Sequence, residues 1–230
     1  MTTLWKILRA EIDYNRLFLL GFHLFSAVCF IVIWYGVKFE RNRAPLILMI
    51  LMVSTYMVAY IKENRPVRGS RFRMFAALPV SLRSIGIERL LFPLFYFMSL
   101  LALLFVVFAC CGLVSNSDLT IPPVTHFLYV GGLILIVTAL YYMANDMKVM
   151  TRHRIVQAFF MFTWLMIYLV VFAQFYVIIN FFGLFDGVNT PGEFILQFMG
   201  RWFVVILILA AGVLLSLISL NVFHKRKSYL

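Results

Sequence analysis

Apolar runs alternate with short polar breaks along almost the whole chain. They fall at roughly 17–37, 44–61, 90–114, 127–144, 155–183 and 202–223. An α-helix of about 20 apolar residues spans the ~30 Å hydrocarbon core of a bilayer. The pattern therefore predicts an all-α membrane protein with six transmembrane helices and one transmembrane domain over 1–230. The fifth run is longer than a crossing needs, so its helix is expected to tilt, kink or project. Ahead of the first run, Leu4, Leu8 and Ile12 recur every four residues with Trp5 beside them. Lys6, Arg9, Asp13 and Arg16 lie largely on other faces, which predicts an interfacial helix over 1–16. In the break at 184–200, Thr190-Pro191-Gly192-Glu193 reads as a capping box, so a short outer helix is expected there.

The longest polar break, 62–89, reads KENRPVRGSRFRMFAALPVSLRSIGIER. It carries Lys62, Arg65, Arg68, Arg71, Arg73, Arg83 and Arg89, against only Glu63 and Glu88. Residues 71–78 are helix formers with Phe72, Met74 and Phe75 among them. Leu78-Pro79-Val80-Ser81 then stops that helix, and Ser81 can cap the next. A loop that only connects two spans has no need of apolar side chains on a helix, so this one reads as a docking surface.

Composition agrees with the pattern. The chain is 64% apolar and 13% charged, with a mean hydropathy of +0.99, far from the profile of a soluble domain. The net charge of +11 would suggest nucleic acid in a soluble protein. Here retention of Lys and Arg on the cytoplasmic side explains it, and no nucleic-acid partner is expected. With both termini inside, 16 of the 20 basic residues fall in cytoplasmic segments. Lys38, Arg41, Arg43 and Arg201 fall outside. Cys29, Cys110 and Cys111 all lie in apolar runs and read as small core residues.

Catalytic and metal motifs are missing, so no catalytic residue and no metal ligand is assigned. His23 stands alone in the first span, where a bond to neighbouring backbone is the expected role. Glu88 and Asp146 sit at span ends beside basic residues and read as solvated pairs. No carboxylate is expected at mid-depth, which argues against an ion-coupled transporter. No phosphate-binding loop G-x-x-x-x-G-K-[ST] occurs, so any motor is a separate polypeptide. Ser54, Thr55, Gln157, Gln174, Asn180, Ser216 and Asn221 read as helix–helix hydrogen-bonding groups. Gln174 and Asn180 in the fifth span are the candidates for a translocation path, with Phe175, Phe181, Phe182 and Phe185 as an apolar exit. Gly212-x-x-x-Ser216, beside Ala210-Ala211, offers a small-residue face for close helix packing.

Glu63, Gly69, the helix at 71–78, Leu78-Pro79-Val80-Ser81 and the run at 85–91 together resemble the cytoplasmic loop of the type 2 ATP-binding-cassette (ABC) exporter permeases. The layout is similar too: an N-terminal elbow helix, six spans, both ends inside and a short outer helix before the last span. In motif the resemblance covers only about 30 residues, and Arg68, Arg71 and Arg73 stand where the family often has an acidic residue. It implies a permease subunit of an ABC exporter, multi-pass in a prokaryotic inner membrane. Its partners would be a separate ABC ATPase subunit, which holds ATP and Mg, a second permease copy (identical or a paralogue) and the lipid bilayer. The ATPase would dock on Glu63, Arg71, Phe72, Arg73, Met74, Phe75 and Leu78, with 71–78 as the coupling helix. This chain would carry no cofactor and no ATPase site. Two other classes fit the same residues. One is a lipid-modifying membrane enzyme built on Glu88, Asn145, Asp146 and His153. The other is a non-transporting assembly protein using the same loop.

Overall fold

The computed structural model describes residues 3–36, 40–64, 82–115, 122–150 and 200–225. These form five α-helices: α1 (Thr3–Gly36), α2 (Glu40–Asn64), α3 (Leu82–Ser115), α4 (Val124–Met150) and α5 (Trp202–Lys225). No strand occurs among the described residues. Among the described residues four helices are long and apolar enough to cross a membrane: α1, α3, α4 and α5. The apolar stretch of α2, Leu46–Lys62, is shorter. The described residues are thus all-helical and of membrane-embedded character. The expected fifth span and outer helix lie outside the described residues, apart from Gly200.

Helix boundaries depart from the hydropathy pattern in one direction: polar residues assigned to loops are absorbed into helices. The segment expected as a separate interfacial helix is continuous with the first span. At ~1.5 Å per residue, the 34 residues of α1 run to about 50 Å, well beyond the hydrocarbon core. One face keeps this end upright. Ile7 joins Ile85 and Phe223 in a buried cluster, and Glu11 and Asn15 are buried on the same side. The Asn15 amide donates to the Glu11 carbonyl at 2.8 Å and to its carboxylate at 3.2 Å. Helix α2 reaches back to Glu40, inside the expected turn at 38–43. Helix α3 starts at Leu82, one residue past Ser81, and takes up eight residues of the expected loop. Helix α4 runs through Asn145 to Met150, into the polar break between the apolar runs at 127–144 and 155–183.

Contacts along the helices give their directions. Helix α1 runs beside α3 in parallel: Ile7 meets Ile85, His23 bonds Ser99, and Trp34 stacks edge-on against Phe108. Helix α2 is antiparallel to both, with Ser26 bonded to Ser54 at 3.2 Å and Lys62 to Glu88. Helix α4 is antiparallel to α3, since Phe105 meets Phe127 and Arg89 meets Asp146.

Helices α4 and α5 are parallel and the most closely packed pair. A Cβ on Gly132 would stand 2.8 Å from Ile208 Cγ2 and 3.2 Å from the Leu209 backbone nitrogen. One on Gly212 would stand 3.0 Å from the Gly132 carbonyl oxygen. The small-residue face expected at Gly212 is therefore a real backbone contact, and Gly132 is its counterpart. Glycine is required on both sides because any side chain would wedge backbone from backbone.

The core cluster joins α1, α2, α3 and α4 through Phe30, Trp34, Leu51, Phe92, Leu100, Phe108 and their neighbours. Outside it, Leu17, Leu20, Leu24, Val28 and Val32 on α1, and Ile206, Leu207, Val213, Leu214 and Leu217 on α5, are exposed. Exposed apolar stripes at helical spacing are what lipid-facing helices present.

Candidate functional site

The ends of α2, α3, α4 and α5 that flank residues 65–81 meet around four buried charged side chains. Lys62, in the last turn of α2, is 5% exposed, and Glu88, in the second turn of α3, is 0% exposed. They form a direct ion pair. The next residue of α3, Arg89, is 4% exposed and reaches across to α4. Its Nη1 donates to both carboxylate oxygens of Asp146, at 3.0 and 3.3 Å, and Asp146 is 0% exposed. Adjacent residues of α3 thus carry opposite charges to opposite neighbours.

Aromatic rings close the pairs off. Lys62 Nζ lies 3.9 Å from the centre of the Phe92 ring. The Arg89 guanidinium lies 4.6 Å from the centre of the Tyr142 ring and 4.7 Å from that of Phe223 on α5. A cation over a ring face gains about 0.5–2 kcal/mol, more as water is excluded. Phe223 also packs on Gly86, where a Cβ would meet its ring at 2.9 Å. The absence of a side chain at Gly86 is what lets α5 come close enough to cover Arg89.

Taking four charges out of water is costly unless each is matched, and removing one partner of such a pair costs several kcal/mol. The arrangement is therefore stiff as a unit. It ties the two helices that flank 65–81 to each other and to α4 and α5. Immediately above it lies Pro93, inside α3. Proline has no N–H to give the carbonyl four residues earlier, which is that of Arg89. The charged end of α3 thus meets the rest of the helix at its weakest turn.

This corrects the sequence-based reading of Glu88 and Asp146 as solvated interface groups. Burial inside ion pairs is the opposite environment. Both carboxylates lie near helix ends, so the expectation of none at mid-depth is not affected. Hydropathy missed the site because each charge was averaged into a polar break. The available signal was the 26- and 57-residue separations of complementary charges at span ends, and no local pattern ranks those pairings above others.

The remaining candidates separate as follows. Glu63 lies in the last turn of α2. Arg71, Phe72, Arg73, Met74, Phe75 and Leu78 lie outside the described residues, as do Gln174, Asn180 and His153. Asn145 sits beside Asp146 in α4, and its Nδ2 is buried with no hydrogen-bond partner. His23 bonds the Leu19 carbonyl, as expected for a lone intramembrane histidine, and also Ser99 Oγ on α3, each at 2.8 Å. Ser54 makes the expected interhelical bond, whereas Thr55 bonds back to the Leu51 carbonyl at 2.7 Å and Asn221 is exposed. Ser216 Oγ is buried without a partner. Cys111 is buried, but Cys110 is exposed, so only one of that pair is a core residue. No group of three or more metal-ligating side chains occurs among the described residues.

No protein-family model, curated protein or solved structure matches the chain.

Proposed function

We propose that the chain is the membrane-spanning permease subunit of an ABC exporter, worked by a separate ATPase subunit that docks on the loop at 65–81. The observation that carries the reading is the buried charge cluster at the root of that loop. A displacement of 65–81 acts on α2 and α3 together, because Lys62 and Glu88 hold them as one body. Arg89 passes it to α4 through Asp146 and to α5 through Phe223. The proline at Pro93 is the hinge about which the loop end of α3 swings. In this reading Phe72, Met74 and Phe75 anchor the coupling helix in the ATPase, with Arg71, Arg73 and Glu63 setting its register. ATP and Mg belong to the partner, and a second permease copy completes the path.

The same reading takes the chain across the membrane six times. Helices α4 and α5 run parallel, so residues 151–199 leave one end of the bundle and rejoin it at the other. Together with the apolar run at 155–183, this supports reading that stretch as a fifth span, with Gln174 and Asn180 in it. The Thr3 end of α1 and the Lys225 end of α5 lie at the same end as the basic loop. The positive-inside rule makes that end cytoplasmic, in a cell inner membrane.

The test is purification from native membranes in mild detergent, followed by Mg-ATP turnover. A soluble ATPase should co-purify near 1:1, and Phe75→Asp should abolish permease-dependent turnover while leaving insertion intact. Recovery of the chain alone under several detergents would overturn the reading.

A second reading, transport coupled to protons or ions, is favoured by the burial of Glu88 and Asp146, since buried intramembrane carboxylates commonly mark ion pathways. It predicts uptake or efflux driven by an imposed ion gradient in liposomes containing this chain alone. The lipid-modifying enzyme loses ground, because Glu88 and Asp146 are both engaged by cations.

A further inference from the structure

We propose that the upright end of α1 is a binding site for anionic phospholipid headgroups. The argument begins with the two faces of that end. Ile7, Leu8, Glu11, Asn15 and Leu19 are buried against the bundle. Lys6, Arg9, Asp13 and Arg16 are exposed, with Trp5 and Tyr14 exposed at the edges. At about 100° per residue, Lys6, Arg9, Asp13, Arg16 and Leu20 fall within one sector of roughly 80°. The same sector continues down the helix through Leu20, Leu24 and Ile31, with Leu17 and Val28 some 20–40° past its edge, all exposed. The face that carries the cations is therefore the upward extension of a face that meets acyl chains.

Depth fixes the occupant. Residues 17–36 of α1 measure about 30 Å, the thickness of the hydrocarbon core. Arg16 then stands at its edge and Arg9 about 10 Å above. A headgroup layer some 5–8 Å thick is within reach of an arginine side chain from both. Trp5 and Tyr14 supply the amphipathic rings that favour the same layer. Asp13 lies 3.9 Å from Arg9, but with both side chains about 70% exposed that pair is weak and leaves the stripe net positive. A lipid whose chains lie along Leu17, Leu20 and Leu24 has its phosphate beside Arg16 and Arg9. The site is independent of whether an ATPase or an ion gradient drives the protein.

The experiment uses the full chain, purified in a neutral detergent and mixed with phosphatidylglycerol or phosphatidylcholine of identical acyl chains. Bound lipid is counted by native mass spectrometry. The expected result is about a tenfold preference for phosphatidylglycerol. It should fall to twofold or less in the triple variant Lys6→Gln, Arg9→Gln, Arg16→Gln, and survive in Arg9→Lys, Arg16→Lys. These side chains are exposed, so folding is retained, and Arg201→Gln at the opposite end of the bundle is the control for nonspecific charge loss. Equal binding of both lipids by the wild type, or an unchanged preference in the triple variant, overturns the proposal. So does efficient disulfide cross-linking between two copies through Leu20→Cys in a cysteine-free background. That result would assign this face to a second copy of the chain instead.

Discussion

Removing Asp146 isolates the consequence of the buried charge cluster. In Asp146→Ala the Arg89 guanidinium keeps the Tyr142 and Phe223 rings but loses its contacts with the Asp146 carboxylate, at 3.0 and 3.3 Å. Breaking a buried pair this way costs about 3–5 kcal/mol. The retained rings and the position at a helix end, where water and headgroups relax the site, place the expected loss near ~3 kcal/mol. Replacing both partners by apolar residues of similar size, Arg89→Met with Asp146→Leu, removes the uncompensated charge and should return stability to within ~1 kcal/mol of wild type. The assay is equilibrium unfolding by sodium dodecyl sulfate in bicelles, read as a double-mutant cycle in which Arg89→Met and Asp146→Leu are the singles. The singles should be strongly non-additive. If Asp146→Ala costs under ~1 kcal/mol, or the double variant is as unstable as the sum of the singles, the pair is not the buried joint described above. Under the permease reading, the repacked double variant is folded yet transmits loop movement poorly. ATP turnover should then persist while substrate movement falls, separating stability from transmission.

Other outcomes follow from single contacts. Gly132→Val pushes α4 from α5, because even a Cβ would stand 2.8 Å from Ile208 Cγ2 and 3.2 Å from the Leu209 nitrogen. It should cost about 1–3 kcal/mol in the same assay, whereas Gly21→Ala, with nothing within 4 Å, should be neutral or slightly stabilising. Ser99→Ala removes the interhelical bond to His23 and should cost about 0.6–1.7 kcal/mol; no additional cost from His23→Ala in that background would show that the two act as a pair. In a cysteine-free background, Ser70→Cys should react with a membrane-impermeant thiol reagent from the side opposite to Ser117→Cys. Labelling of both from one side would refute the alternating topology.

Hydropathy alone placed the apolar centres of α1, α2, α3, α4 and α5, because about 20 consecutive apolar residues have few stable destinations outside a bilayer. It also marked where α3 starts, one residue past Ser81, since capping acts through local backbone geometry. The small face at Gly212 was visible for the same local reason, though its counterpart Gly132 was not.

What the sequence left undecided were the states of charged residues at helix ends. Lys62, Glu88, Arg89 and Asp146 look the same in sequence whether solvated or paired. Only the approach of α2, α4 and α5 to the start of α3 buries them, and that approach depends on Gly86 accommodating Phe223. The N-terminal stretch is a second case. Its amphipathic pattern fits a helix lying on a membrane as well as one standing against a bundle, and the docking of Ile7 on Ile85 and Phe223 selects the second. Periodicity reports which side of a helix is apolar. Tertiary packing decides whether that side meets lipid or protein, and which charges are carried inside with it.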